Sequence, residues 1–176
     1  MDSLESFLND VPDPRRPQGR RYELTYVLLF TILAVLSGAF SFRKIQKFIR
    51  VHRKRLNRQF GLNWKREPAY TSIRDILRGL DAVEFEKAFR QHARALDESE
   101  SQKAGTRIAC DGKVLKGSFD SLEDRKAAHL VSAFSDETLI ILGHLEVNEK
   151  SNEIPAIQQL IEELGLQNRV LTLDAI

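Results

Sequence analysis

Asp111 and Asp174 are the residues of this 176-residue chain whose type and placement best fit chemistry. Each follows a short apolar, β-rich run, RIAC before the first and VLTL before the second, so each carboxylate is expected where a buried strand closes. If those two strands lie side by side, both carboxylates reach one edge of a sheet, where hard oxygen donors can hold Mg²⁺. Taken singly, each has a plainer reading. Asp111-Gly112 fits a hairpin turn of the Asp-Gly type, and Asp174 fits the cap of a following helix. Lys113 and Lys116, just after the first carboxylate, and Lys150 in EKSNE fit contacts to phosphate and fit solvated surface equally well. Other chemistries find little footing. Cys110 is the single cysteine, and the four histidines have no Cys or His partner at zinc spacing. No nucleophile and base come together: Cys110 reads as a small buried strand residue, and His129 and His144 as strand positions.

The elements that must position the two aspartates follow from a change of period. RIAC, HLVSAF and TLIILGHLEV read as strands, with DSLEDRK and SDE as connections. A helix is expected to start near Asn152 to Pro155, to repeat apolar residues at Ile154, Ile157, Leu160, Ile161 and Leu164, and to stop at Gly165. RVLTLD then supplies a fourth strand, giving the order β-β-β-α-β. Strands one to three are expected to be antiparallel and the fourth parallel to the first, with the crossover helix on one face. Asn152 and Glu153 read as helix-start residues.

Charge divides the chain. Residues 1–96 hold 19 Lys+Arg against 10 Asp+Glu, a net of +9; residues 97–176 hold 8 against 15, a net of −7, and together they give +2. A basic half suggests a polyanionic partner, and an acidic half is compatible with carboxylates gathered around metal ions. DESESQKAGT, residues 97–106, is polar and reads as a linker between a domain at 1–96 and one at 107–176. The acidic N-terminus lacks a basic and then apolar leader, and one cysteine suits a reducing compartment, so a cytoplasmic setting is expected.

The basic half reads as all-α, so the chain as a whole reads as α+β. Leu24 to Phe42 is uncharged and long enough to be weighed as a membrane anchor, but polar and small residues dilute it and Ser37-Gly38 looks like a helix end. The favoured reading is a buried helix, Leu24 to Leu36. Next, Ile45, Phe48, Ile49, His52, Leu56 and Phe60 recur at helical spacing while Lys47, Arg50, Lys54 and Arg58 line another face. Arg43 to Arg66 contains ten basic residues and no acidic one, a density that repels itself unless phosphates or solvent screen it. Ser72 with Asp75, and Asp81 with Glu84, stand at capping-box spacing before two further helices.

Beyond these patterns, IACDGKVLKGS, HLVSAFSDETLIILGHLEVNEKSNEIPAI and VLTLDAI resemble, in order and spacing, the DDE transposases of bacterial insertion sequences of the ISAs type, also called H-repeat-associated proteins. FLNDVPDPRRPQGRRYEL, the apolar helix with its SGAFSF exit, and TSIRDILRGLDAVEFEKAF resemble the helical domain that accompanies them. The resemblance covers nearly the whole chain. It implies an N-terminal helical domain followed by an incomplete RNase H-like domain, with Asp111 and Asp174 matching the first two acidic metal ligands. The third would lie on a later helix, beyond the last residue here, so the chain reads as truncated. The implied chemistry is DNA strand cleavage and transfer with two Mg²⁺ or Mn²⁺ ions about 4 Å apart, the partner being the insertion-sequence ends. Asp111 would bridge both ions and Asp174 would hold one. Three readings follow: a truncated transposase inactive alone, a non-catalytic DNA-binding remnant that competes with an intact enzyme, and a membrane-anchored protein using residues 24–42. A last strand without a neighbour would also favour marginal solubility or homo-oligomer formation.

Overall fold

A computed structural model describes residues 2–100, 107–115, 128–147 and 153–173. The chain forms two compact units, Met1–Ala88 and Phe89–Ile176.

The first unit is helical. Helix α1, Asp2–Asn9, for which the sequence reading gave no expectation, buries Phe7 and Leu8. Helix α2, Leu24–Leu36, is the expected core helix: Val27, Leu28, Leu29, Phe30 and Ala34 are all buried. At 1.5 Å per residue its 13 residues rise about 20 Å, short of the roughly 30 Å of a bilayer core. Among the described residues no helix is long and apolar enough to cross a membrane. Gly38, at φ 86°, turns the chain out of α2, and the Ala39 N–H closes back on the Ala34 carbonyl at 2.9 Å.

Helix α3, Phe42–Gln59, starts where the Ser41 hydroxyl accepts the Lys44 N–H at 3.3 Å. It buries Ile45, Ile49 and Leu56 and turns its cations outward. Helix α4, Tyr70–Arg78, begins two residues before the expected Ser72 cap. Asp75 faces Arg74 at 2.8 Å, so this capping box does not form. The second one starts as read: Asp81 accepts the Val83 and Glu84 N–H groups at 2.9 and 3.1 Å, opening helix α5, Ala82–Glu100.

Two carboxylates paired with arginines, Asp13 and Glu67, give this unit a pH dependence. Asp13 accepts a forked pair of hydrogen bonds from Arg15 at 2.8 and 2.7 Å. Glu67 accepts from Arg50 and Arg53 at 2.8 and 3.2 Å. Arg15 holds the Asp13 carboxyl below its ordinary range, and the Glu67 backbone N–H, with Arg50 and Arg53, does the same for Glu67. Groups with lowered folded values contribute stability that is present above the unfolded value and lost as pH falls through the folded one. The melting temperature by circular dichroism should therefore decline below about pH 4, and Asp13→Asn with Glu67→Gln should lower the neutral value and flatten that decline.

The division between units falls inside α5. The helix runs on through Asp97–Glu100, so the first four residues of the segment read as a linker are helical; residues 101–106 lie outside the described residues.

In the second unit, β1 (Arg107–Leu115), β2 (Ala128–Ser135), β3 (Ile141–Val147) and β4 (Val170–Leu173) form one sheet of order β3-β2-β1-β4. β1, β2 and β3 pair antiparallel and β4 runs parallel to β1, the directions expected from the sequence. Helix α6, Glu153–Leu164, packs on β2 and β3 and stops at Gly165, φ 61°. Ala156, Ile157 and Leu160 meet Ile108, Cys110, Val131, Ala133 and Leu142 in the core. Gly143 leaves room for its neighbours: a Cβ there would stand 3.0 Å from the Leu164 side chain and 3.1 Å from the Arg90 guanidinium.

Candidate catalytic edge and basic helix

The site on the sheet begins with alternation along β1. Ile108 and Cys110 point into the core beneath α6, so Ala109, Asp111 and Lys113 fall on the opposite face. Burial pushes the Cys110 thiol up and keeps it protonated, consistent with a packing residue. The Asp111 side chain is 52% exposed, with the Lys113 ammonium 3.4 Å away.

Asp111 does not close β1, and Asp111-Gly112 is not a turn. Both residues pair with β2, opposite Ser132 and Val131, and the ladder continues to Leu115 opposite Ala128. What ends near Asp111 is the described parallel pairing with β4, which sets Arg107 against Val170 and Cys110 against Leu173. Asp111 is thus one residue beyond the Cys110 to Leu173 pair, and Asp174 is the residue after Leu173 in sequence. Asp174, Lys116, Lys150 and Asn152 lie outside the described residues, as does the Glu153 side chain.

Asp111 offers, in kind, a donor that fits a hard divalent cation: an exposed carboxylate on a strand. Among the described residues no three of His, Cys, Asp and Glu gather into a metal-sized group.

On α3 the structure sorts the cations that the sequence could only count. Lys47, Lys54 and Arg58 are exposed and have no carboxylate partner among the described residues. Arg50 differs. It pairs with Glu67, which also holds Arg53, so one carboxylate is shared between two guanidinium groups. Arg43 stacks over Tyr70, its guanidinium carbon 5.1 Å from the ring centre.

Two features had no signal in the sequence. Asp97, in the stretch read as a linker, is buried at 3% exposure; it accepts from the Thr138 hydroxyl at 2.7 Å and from Arg169 at 3.0 Å. Arg90 pairs with Glu163 at 2.6 Å and donates to the His144 carbonyl.

Comparison with known proteins places this geometry. The family model described as DDE_Tnp_1-associated matches residues 5–93. "Putative transposase YncI" of Escherichia coli O157:H7 is 33% identical over 175 residues, covering 99% of this chain and 44% of that protein. Its namesake in Escherichia coli strain K12 is 33% identical, with 69% of its length covered. "H repeat-associated putative transposase YhhI" of strain K12 is 31% identical, with 45% covered. The chain therefore spans less than half the length of two of these relatives and about two thirds of the other. No solved structure matches. With the family model covering half of the chain and these relatives spanning almost all of it, the chain belongs to the DDE transposases of the H-repeat-associated family.

Proposed function

We propose that this chain serves metal-dependent phosphoryl transfer on DNA, holding duplex DNA through the first unit and supplying Asp111 and Asp174 as metal ligands from an RNase H-like second unit. The observation that carries the reading is the parallel register of β1 and β4, Cys110 against Leu173, because each aspartate is the next residue in sequence after a member of that pair. Parallel neighbours stand about 4.8 Å apart, so carboxylates one step beyond a paired position can share an ion. Two bound Mg²⁺ or Mn²⁺ ions would supply charge neutralisation at the phosphate and a lowered pKa for an attacking hydroxyl. Lys113, beside Asp111, is placed to meet a phosphate oxygen; Lys116 and Lys150 are proposed to do the same. The share proposed for these residues is grip on DNA and two acidic ligands. DNA binding without cleavage is the second reading, favoured by the exposed cations of α3.

The test of the metal reading is Mn²⁺ titration followed by electron paramagnetic resonance. Asp111→Asn and Asp174→Asn should each abolish the tightest binding; unchanged binding in both would overturn it.

DNA grip is tested by salt. Each phosphate neutralised contributes a log-log slope of about 0.9, so replacing Lys47, Lys54 and Arg58 together by Gln should reduce the slope by about 2.7. Arg50→Gln should leave the slope nearly unchanged and lower the melting temperature instead, since it pairs with Glu67. A triple variant with the parent slope would make α3 a solvated face only.

A further inference from the structure

We infer that Asp97 is a positioning residue for the candidate catalytic edge: a buried carboxylate on α5 that fixes where β4, the strand preceding Asp174 in sequence, enters the sheet beside β1. The inference rests on the functional reading above. Arg169 directly precedes β4 and donates from one guanidinium nitrogen to Asp97 at 3.0 Å. The side chains of the pair are 18% and 4% exposed, so the interaction is formed largely out of water, where it is directional and weakly screened. The other Asp97 oxygen takes the Thr138 hydroxyl at 2.7 Å, in the turn between β2 and β3.

Both partners stand beside strained backbone. Asn168, just before Arg169, has φ 57°, and Leu139, just after Thr138, has φ 58°. A left-handed leucine is uncommon, and such residues persist where the surroundings over-determine them. One carboxylate thus holds two turns. The β2–β3 turn is fixed to β1 as well, because the Asp136 N–H donates to the Arg107 carbonyl at 3.0 Å. Arg107 is the residue paired with Val170, the first of β4. Asp97 therefore ties together the start of β1, the adjoining turn and the start of β4.

Among the described residues β4 is held otherwise by its ladder with β1. It is only four residues long, and Val170, Leu171 and Leu173 are 52%, 39% and 50% exposed. A short exposed edge strand frays or slips unless its ends are pinned, and a slip of one residue would reverse which face the next side chain takes. A further Arg169 nitrogen, Nη1, is buried with no acceptor among the described residues. Neutralising Asp97 would leave that guanidinium with less to hold it in place.

The experiment measures amide hydrogen exchange across the sheet and Mn²⁺ affinity by electron paramagnetic resonance in the full 176-residue chain. Asp97→Asn and Arg169→Gln are compared with Leu160→Ala, which weakens the core of the same unit without touching the cluster. Expected for Asp97→Asn is about tenfold faster exchange at residues 170–173 and at their partners in 107–110, with β2 and β3 amides unchanged, and about tenfold weaker Mn²⁺ binding. The double variant Asp97→Asn with Arg169→Gln, a neutral hydrogen-bonding pair, should recover much of both. Leu160→Ala should speed exchange over the whole sheet yet leave Mn²⁺ affinity, corrected for folded fraction, as it was. If Asp97→Asn does not fold, Arg169→Gln carries the same expectations. Unchanged β4 exchange, or exchange spread evenly as in Leu160→Ala, overturns the inference. Parent protein whose Mn²⁺ binding ignores Asp111 would instead overturn the metal reading, and exchange at β4 would still decide the role of Asp97.

Discussion

Incubated with Mg²⁺ or Mn²⁺ and DNA carrying insertion-sequence ends, a polypeptide of residues 1–176 alone is expected to nick no faster than its Asp111→Ala variant. On the proposed reading residues 1–176 supply two acidic ligands of a three-ligand site; catalysis of this kind is positioning and charge stabilisation, so a site short of one ligand would lose the feature on which the rate depends. Removing a single preorganised group from a site of this type typically costs about 10²–10³ in rate. Of the described acids before the last strand, Glu162 and Glu163 are carried on α6, which packs on β2 and β3. Glu163 is moreover engaged by Arg90. Gel-based nicking assays over hours would decide the matter. Cleavage above the Asp111→Ala level would mean that another group, or a second copy of the chain, completes the set. Activity appearing only in a longer polypeptide that carries the third acidic residue would support the assignment.

Phe30→Ala should be the most damaging single truncation in the first unit. Phe30 is fully buried, and its ring lies 5.5 Å from that of Phe60, 5.2 Å from that of Trp64 and 6.1 Å from that of Tyr26. Deleting a buried phenyl group typically costs about 3–5 kcal/mol, from lost transfer energy and from the cavity left behind. The aromatic neighbours here are held by their own contacts: Tyr26 donates to Glu5 at 2.9 Å, and Trp64 is bound through its backbone to Asn57. They are poorly placed to collapse into the space, so the upper part of that range is expected. Urea unfolding followed by Trp64 fluorescence would measure it, and a cost below about 1.5 kcal/mol would show that the cluster repacks.

Much of this architecture was legible because it is written locally. The α2 span follows from an uncharged apolar run closed by Ser37-Gly38 and α3 from hydrophobic periodicity, and the four strands follow from runs of four to ten residues, with a parallel return implied by the intervening helix, although β1 runs on past RIAC to Leu115. What escaped depends on partners far away in sequence. Asp97 looked like linker chemistry because its partners stand 41 and 72 positions off. Arg50 looked like one more cation because Glu67, 17 residues later, was needed to single it out. Asp111-Gly112 looked like a turn because the pair has that preference in isolation; the ladder with β2 overrides it, supplying a partner for every β1 residue from Ile108 to Leu115. Ser72 looked like a cap for the same kind of reason, while α4 starts at Tyr70 from an Ala69 that offers no side-chain acceptor.

The second half of α5 also limits how the gene can drift. Arg90 reaches Glu163 and the His144 carbonyl, and Asp97 reaches Thr138 and Arg169. The two anchors are seven positions apart, two helical turns, so they share one side of the helix about 10 Å from each other. A substitution on the outer side of that stretch, at Arg94 or Ala95, leaves both attachments in phase. A three-base deletion between codons 90 and 97 does not: it keeps the reading frame yet swings one anchor by about 100° relative to the other. The stretch is a ruler as much as a sequence, and length variation among descendants of this gene should collect outside it.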